Sequence, residues 1–160
     1  MKQEIAVLIV EDGDEYLENL SRFVPGPRYL QAHSGAAALD LLRREPVDLV
    51  YLDMRFDRIA REDLLGDHAA LTREHGGDGS RAWRFLQNNQ GLFVLDALWQ
   101  AGFRSVPVIL AYDFGGEERR WKHLAESYPT LTWVPDAITP ERIDLVMQEQ
   151  LSRWPRGRSG

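Results

Sequence analysis

Acidic residues close two of the apolar runs in this sequence. Val47–Asp53 reads Val-Asp-Leu-Val-Tyr-Leu-Asp, and Ile5–Val10 is followed directly by Glu11 and Asp12. Runs of this kind predict strands that are buried on both faces of a parallel sheet. Ligands of open α/β sheets bind outside the carboxyl ends of such strands, where a carboxylate can bind a cation, act as a nucleophile or cap a helix. Two strands that both end in acids favour one shared acidic pocket.

The rest of the pattern supplies the elements that must position these acids. Five strand candidates alternate with five helix candidates. The strands are Ile5–Val10, Arg28–Ala32, Val47–Asp53, Val106–Ala111 and Leu131–Val134; the helices are Asp14–Val24, Gly35–Arg44, Gly91–Gly102, Gly115–Ser127 and Pro140–Trp154. This alternation predicts an α/β, flavodoxin-like (βα)5 doubly wound parallel sheet. Right-handed crossovers favour the strand order 2-1-3-4-5, in which Asp12 and Asp53 share one crevice.

The segment 55–90, called the insertion below, interrupts this alternation. Connections of such length are usually functional or disordered. We expect two helical pieces in it, Arg61–Glu74 and Arg81–Asn88, with at least one packed over or beside the Asp53 end of the sheet through Trp83 and Phe85. The alternative is an appended surface hairpin. Taken together, the strands, helices and insertion predict a single domain over 1–154 and a frayed tail over 155–160.

Composition limits the classes of function. The net charge of -6 argues against general nucleic-acid binding, which needs a basic surface. No apolar run approaches the roughly 20 residues that span a bilayer, so no membrane partner is expected. The absence of cysteine excludes thiol catalysis and fits a reducing compartment, which favours a cytoplasmic location. The chain is either a single unit that acts through protein contacts or a piece of a longer protein.

Five segments carry a more specific signal. Each matches a block found in one family: the acidic pair after strand one, a Ser-Gly-x-x-Ala-Leu helix start, the central strand, a glycine-led third helix and the fourth strand. The segments are 10–14, 33–39, 46–54, 91–95 and 106–110. Together they resemble the receiver domains of two-component response regulators. The resemblance covers most of the chain except the insertion.

The resemblance implies a role for each acid. Asp53 matches the aspartate that accepts a phosphoryl group from a histidine kinase or phosphotransfer protein. Asp12 matches a direct Mg²⁺ ligand, Glu11 matches its partner acid, and Arg55 matches the position whose backbone carbonyl completes the metal site. The chemistry agrees, because Mg²⁺ is held by one or two carboxylates with waters and phosphate oxygens. The family implies no enzyme activity beyond phosphorylation and dephosphorylation of Asp53 itself.

Two positions depart from the family pattern. A Thr or Ser is expected at the end of strand four, where an ungapped alignment places Tyr112 and a gapped one places Ala111 and Tyr112 just beyond the missing hydroxyl. A lysine is expected at the end of strand five, where Val134 precedes Pro135. Both residues normally contact the phosphoryl group.

These departures keep a second function open. The chain could be a phosphorylation-independent pseudo-receiver that serves as a protein-interaction module for an unknown downstream partner. Alternatively, another cation near Asp53 could supply the missing positive charge. Three arginines of the insertion are close enough in sequence to do so: Arg55, Arg58 and Arg61.

Overall fold

The predicted sheet is present. The computed structural model describes residues 4–156 and contains five parallel strands in the order β2-β1-β3-β4-β5. Their bounds are β1 Ala6–Val10, β2 Arg28–Ala32, β3 Leu49–Asp53, β4 Val108–Ala111 and β5 Leu131–Val134. The flavodoxin-like fold class and the strand order are therefore confirmed.

The two strands that end in acids lie side by side in the centre of the sheet. β1 and β3 pair in parallel up to Val10 and Leu52, so their carboxyl ends leave the sheet at one edge. The side chains of Val7–Val10 and Leu49–Leu52 are fully buried, as their continuous apolar pattern predicts. The acids that follow them must therefore meet at this edge.

Within residues 4–156 the structure contains seven α-helices. They are α1 Glu15–Phe23, α2 Gly35–Arg44, α3 His68–Glu74, α4 Gly79–Asn88, α5 Gln90–Gln100, α6 Glu118–Ser127 and α7 Pro140–Arg153. Apolar side chains of α1 and α7 pack with alternate residues of the strands on one face, and those of α2, α5 and α6 pack on the other. Ser34 and Thr139 cap α2 and α7 through their side-chain oxygens. Among the described residues, no helix is long and apolar enough to span a membrane.

The insertion is helical, but the bounds of its helices differ from the prediction. A 3₁₀ turn at Arg61–Asp63 precedes α3 and α4, and Gly66 with a φ of 116° separates that turn from α3. A single helix over Arg61–Glu74 is therefore wrong.

The packing residues of α4 are partly those expected. Trp83 packs against the core cluster and stacks on His68, with ring centroids 3.8 Å apart. Phe85 is 40% exposed, and its ring lies 6.3 Å from that of Phe93 in α5, outside the buried core. Ala82 and Leu86, one helical turn apart, are the buried pair instead.

Gln90 connects the insertion to α5 from a fully buried position. Its Oε1 accepts the Leu65 amide at 2.7 Å, and its Nε2 donates to the carbonyls of Leu65 and Leu86 at 3.1 and 3.2 Å. These bonds satisfy backbone groups that have moved away from water.

Replacing Gln90 by leucine should destabilise the protein by about 1–2 kcal/mol, because the Leu65 backbone groups lose their partners. Urea unfolding measures the loss, and the Leu65 amide should exchange faster with solvent. Gln100→Leu is the matched control, since Gln100 is exposed in the same helix. Equal effects of the two substitutions would contradict this role for Gln90.

The beginning of the predicted frayed tail is held by an ion pair. The guanidinium of Arg156 binds the buried carboxylate of Asp48, which also accepts the Ala6 amide at 2.8 Å. The remaining tail residues, 157–160, lie outside the described residues.

Candidate functional site

An open cavity of about 490 Å³ lies at the carboxyl edge of the sheet. Its lining carries seven acidic side chains and two arginines, and we call it the acidic pocket. The acids are Glu11, Asp12, Glu15, Asp53, Asp57, Asp113 and Asp136, and the arginines are Arg55 and Arg58. The predicted acids after β1 and β3 are thus brought together, as parallel strand ends require.

Asp53 ends β3 and reaches into this pocket. Its Oδ1 accepts the Met54 amide at 2.9 Å, while Oδ2 makes no hydrogen bond within residues 4–156. Burial raises the pKa of Asp53 from 3.8 to about 7, and the nearby charges of Asp12, Glu11 and Asp136 add to the increase. The carboxyl group of Asp53 therefore holds its proton to a higher pH than an exposed aspartate does.

Gly91 allows α5 to approach the backbone that carries Asp53. Its amide donates to the Met54 carbonyl at 2.9 Å. A Cβ at Gly91 would lie 2.6 Å from the Asp53 carbonyl oxygen and 2.8 Å from the Met54 Cα. Only glycine fits so close to this backbone, which explains the glycine at the start of the third predicted helix.

Glu11 is buried and caps α1. Its two carboxylate oxygens accept the amides of Tyr16 and Leu17, each at 3.0 Å, and Oε2 also accepts from Gln31 at 3.2 Å. Burial raises the pKa of Glu11, while these hydrogen bonds oppose the increase. A carboxylate at a helix amino terminus is stabilised by the exposed amides and the helix dipole. Both oxygens of Glu11 are therefore used inside the protein.

Asp12 is held by the start of the insertion. Its Oδ2 accepts the amides of Asp57 and Arg58 at 2.9 and 3.0 Å, and its Oδ1 pairs with the Arg58 guanidinium at 3.1 Å. The same guanidinium binds Glu15 at 2.6 Å and lowers the pKa of that carboxyl to about 2. Asp12 thus has its negative charge balanced by a residue of its own chain.

The β4 residue that pairs with Asp53 on the neighbouring strand is Ala111 and not Tyr112. Ala111 pairs with Asp53 on one side and with Val134 on the other. Tyr112 lies next to Phe114 on the opposite face, and its hydroxyl donates to Glu117 at 2.5 Å. The β4 position beside Asp53 therefore offers a methyl group and no hydroxyl. At the end of β5, Val134 is buried.

Solved receiver domains share this architecture. The receiver domain of a putative LuxO repressor from Vibrio parahaemolyticus matches with a TM-score of 0.61 and 16% identity, over 94% of this chain and 92% of that chain. The chemotaxis protein CheY4 from Vibrio cholerae matches with a TM-score of 0.61 and 15% identity, over 93% of this chain and 100% of that chain. The chain has the receiver fold. These identities establish the fold alone.

A longer protein contains the same fold. NtrX from Brucella abortus matches with a TM-score of 0.61 and 15% identity over 94% of this chain, which spans 27% of the NtrX chain. No family model and no curated protein matches the sequence. The residues of the acidic pocket are therefore the main indication of what the protein does.

The acids do not fit a metal ion as they are arranged. Mg²⁺ needs free carboxylate oxygens around one point, yet the oxygens of Glu11 and Asp12 already accept hydrogen bonds. Within residues 4–156, no three acidic or histidine side chains are placed to hold a metal. Arg55 lines the acidic pocket, but the metal role predicted for its carbonyl stays a prediction.

Two features of the site were missed or left open by sequence reasoning. Arg58 was one of three candidate cations, and only the fold distinguishes it. Tyr51 lies beneath the pocket with its ring 5.0 Å from that of Tyr16, and its buried hydroxyl has no hydrogen-bond partner among the described residues. Tyr51 sits inside the apolar run of β3, so nothing in the sequence marks it as different from its neighbours.

Proposed function

We propose that this chain is a cytoplasmic, receiver-type signalling module in which Asp53 accepts a phosphoryl group from a histidine kinase or phosphotransfer protein. It acts through protein contacts and has no separate substrate. The supporting observation is the position of Asp53 at the carboxyl end of a central strand, where it lines an open cavity and its Oδ2 makes no hydrogen bond within residues 4–156. Ligands of doubly wound sheets bind at this position.

The nucleophile of the proposed transfer is the carboxylate form of Asp53. Oδ2 attacks the phosphorus, a P–O bond forms as the P–N bond of the donor phosphohistidine breaks, and the imidazole leaves as a neutral ring that keeps a proton on its other nitrogen. Met54 holds the carboxylate through its amide. The transferred group is an anion entering a pocket of seven acids, so a cation must offset the repulsion. Mg²⁺ is the cation that the resemblance implies, and it would have to compete with Arg58 for Asp12.

A second function is favoured by specific observations. Ala111 and Val134 stand where receiver domains use a hydroxyl and a lysine. The carboxylate oxygens of Glu11 and Asp12 already accept hydrogen bonds from the protein. A ligand shifts a conformational equilibrium only through contacts that differ between the two states. A phosphorylation-independent interaction module, with an unidentified downstream protein as its partner, is therefore the alternative.

Acetyl phosphate, a small phosphoryl donor, separates the two functions. With Mg²⁺ present, the wild type and Asp57→Asn should each gain the mass of one phosphoryl group, while Asp53→Asn should gain none. The initial rate should increase with pH, because burial raises the pKa of Asp53 and keeps part of the nucleophile protonated at lower pH.

The alternative predicts a different result. If the wild type gains no phosphoryl group at any pH and does not bind beryllofluoride with Mg²⁺, the interaction module is the better description. Modification of Asp53→Asn to the same extent as the wild type would also remove Asp53 as the acceptor.

A further inference from the structure

We propose that Arg58 is the resident counter-cation of the acidic pocket. Its guanidinium and the amides of residues 57 and 58 occupy the Asp12 carboxylate, so that a divalent cation can bind only by displacing this part of the insertion. Cation binding and the position of the insertion are thereby coupled. The inference concerns the same pocket as the proposed function but does not depend on phosphoryl transfer.

The burial of Asp12 distinguishes this contact from an ordinary surface ion pair. The side chain of Asp12 is 2% exposed, and it accepts three hydrogen bonds, all from residues 57 and 58. Ion pairs between exposed side chains contribute little to stability, and the Arg58–Glu15 pair is of that kind, since both side chains are more than half exposed. A buried carboxylate, by contrast, must keep its partners or replace them.

The surrounding chain is shaped to hold Arg58 in place. A Cβ at Gly13 would overlap both the guanidinium of Arg58 and the carboxylate of Glu15, so Gly13 leaves the space that Arg58 fills. Glu15 binds the guanidinium through both of its carboxylate oxygens. Arg58 is therefore fixed from two sides, by Asp12 and by Glu15.

The backbone next to Arg58 is tied to the body of the insertion. Phe56 is fully buried, and its amide donates to the carbonyl of Gln87 in α4 at 2.8 Å. A displacement of residues 57 and 58 therefore pulls on Phe56 and on its bond to α4. This contact is the physical route from the pocket to the insertion.

Arg55 provides a matched comparison. It lines the same pocket and is exposed, but it makes no hydrogen bond or ion pair within the described part of the chain. Replacing either arginine by glutamine removes one positive charge from the pocket lining. Only Arg58→Gln also removes a hydrogen-bond partner of Asp12, the one on Oδ1, while the two backbone amides on Oδ2 remain.

The test is a titration of the full chain with MgCl2. Calorimetry measures the Mg²⁺ affinity, and amide exchange measures the protection of individual amides. The apparent Mg²⁺ affinity of Arg58→Gln should exceed that of the wild type by about tenfold, which corresponds to about 1.4 kcal/mol. Arg55→Gln should stay within about twofold of the wild type, because the pocket is open and its exposed charges are screened. Arg58→Lys, which keeps the charge but lacks the forked donor, should lie between the wild type and Arg58→Gln.

Amide exchange supplies a readout that a change in charge alone would not move. In the wild type, saturating Mg²⁺ should speed the exchange of the Asp57 and Arg58 amides, which it releases from Asp12. Equal affinities of the wild type and Arg58→Gln would overturn the inference. So would Mg²⁺ binding that leaves both amides protected, or an absence of binding in all four proteins, since Arg58 would then not be what excludes the metal.

Discussion

The Asp53→Asn protein is expected to be more stable than the wild type by about 2–3 kcal/mol at pH 8. Burial and neighbouring acids hold the pKa of Asp53 at about 7, roughly three units above its ordinary value. Each unit corresponds to about 1.4 kcal/mol, and part of the gain is lost because the asparagine amide is also polar and must be buried. For a domain of this size, the gain should raise the melting temperature by about 4–10 °C.

The pH dependence has a definite sign. Between about pH 4 and 7 the folded state keeps the Asp53 proton that the unfolded state has already lost, so the free energy of unfolding falls as pH rises. The penalty is complete above pH 7, and below pH 4 it is absent. Asp53→Asn should remove this contribution to the slope, so its advantage should vanish toward pH 4.

Thermal or urea unfolding across pH 4–8 in metal-free buffer measures this advantage. Asp57→Asn is the control, because Asp57 lines the same pocket but is exposed. Its stability should stay close to that of the wild type at every pH. An Asp53→Asn protein that is no more stable than the wild type at pH 8 would show that burial does not raise the energy of the charged form.

Gly91→Ala should destabilise the protein by about 2–4 kcal/mol, through overpacking against backbone that cannot move aside easily. The new Cβ would meet the Asp53 carbonyl oxygen at 2.6 Å and the Met54 Cα at 2.8 Å. The better helix propensity of alanine, about 1 kcal/mol, offsets only part of this loss. Because the backbone at Asp53 must shift, amide signals around the acidic pocket should change as well.

Gly116→Ala is the matched control for this substitution. No atom lies within 4 Å of a Cβ at Gly116, so its effect on urea unfolding should be close to zero. If Gly91→Ala is as stable as Gly116→Ala, the close approach of α5 to β3 is not a constraint on the fold.

The sheet and the place of the pocket could be predicted from the sequence because they depend on local patterns. Continuous apolar runs over Val7–Val10 and Leu49–Leu52 identify strands buried on both faces, and parallel strands must end at a common edge. The acids Glu11, Asp12 and Asp53 follow those runs directly, so their convergence needed no tertiary information. The sequence also showed that a glycine, Gly91, begins the third predicted helix. It did not show the reason, which is the close contact with the backbone of Asp53 and Met54.

The orientation of α4 and the strand register were decided by tertiary packing. Both Phe85 and Leu86 are apolar, and the choice between them depends on which face meets the sheet; the structure buries Leu86. Likewise, neither sequence alignment placed Ala111 at the hydroxyl position of β4: the ungapped one placed Tyr112 there, and the gapped one placed Ala111 and Tyr112 just beyond it. A shift of one residue moves a strand side chain to the other face. Only the pairing of β3 with β4 places Ala111 beside Asp53.

The partners of the acids were decided by contacts between distant parts of the chain. Asp12 and Arg58 are 46 residues apart, and nothing local distinguishes Arg58 from Arg55 or Arg61. The resemblance to receiver domains implied a cation site at Glu11 and Asp12, which stays a prediction. In the structure, Glu11 accepts hydrogen bonds from amides of α1, and Asp12 accepts hydrogen bonds from residues 57 and 58. A buried carboxylate is stable only where donors from other elements reach it.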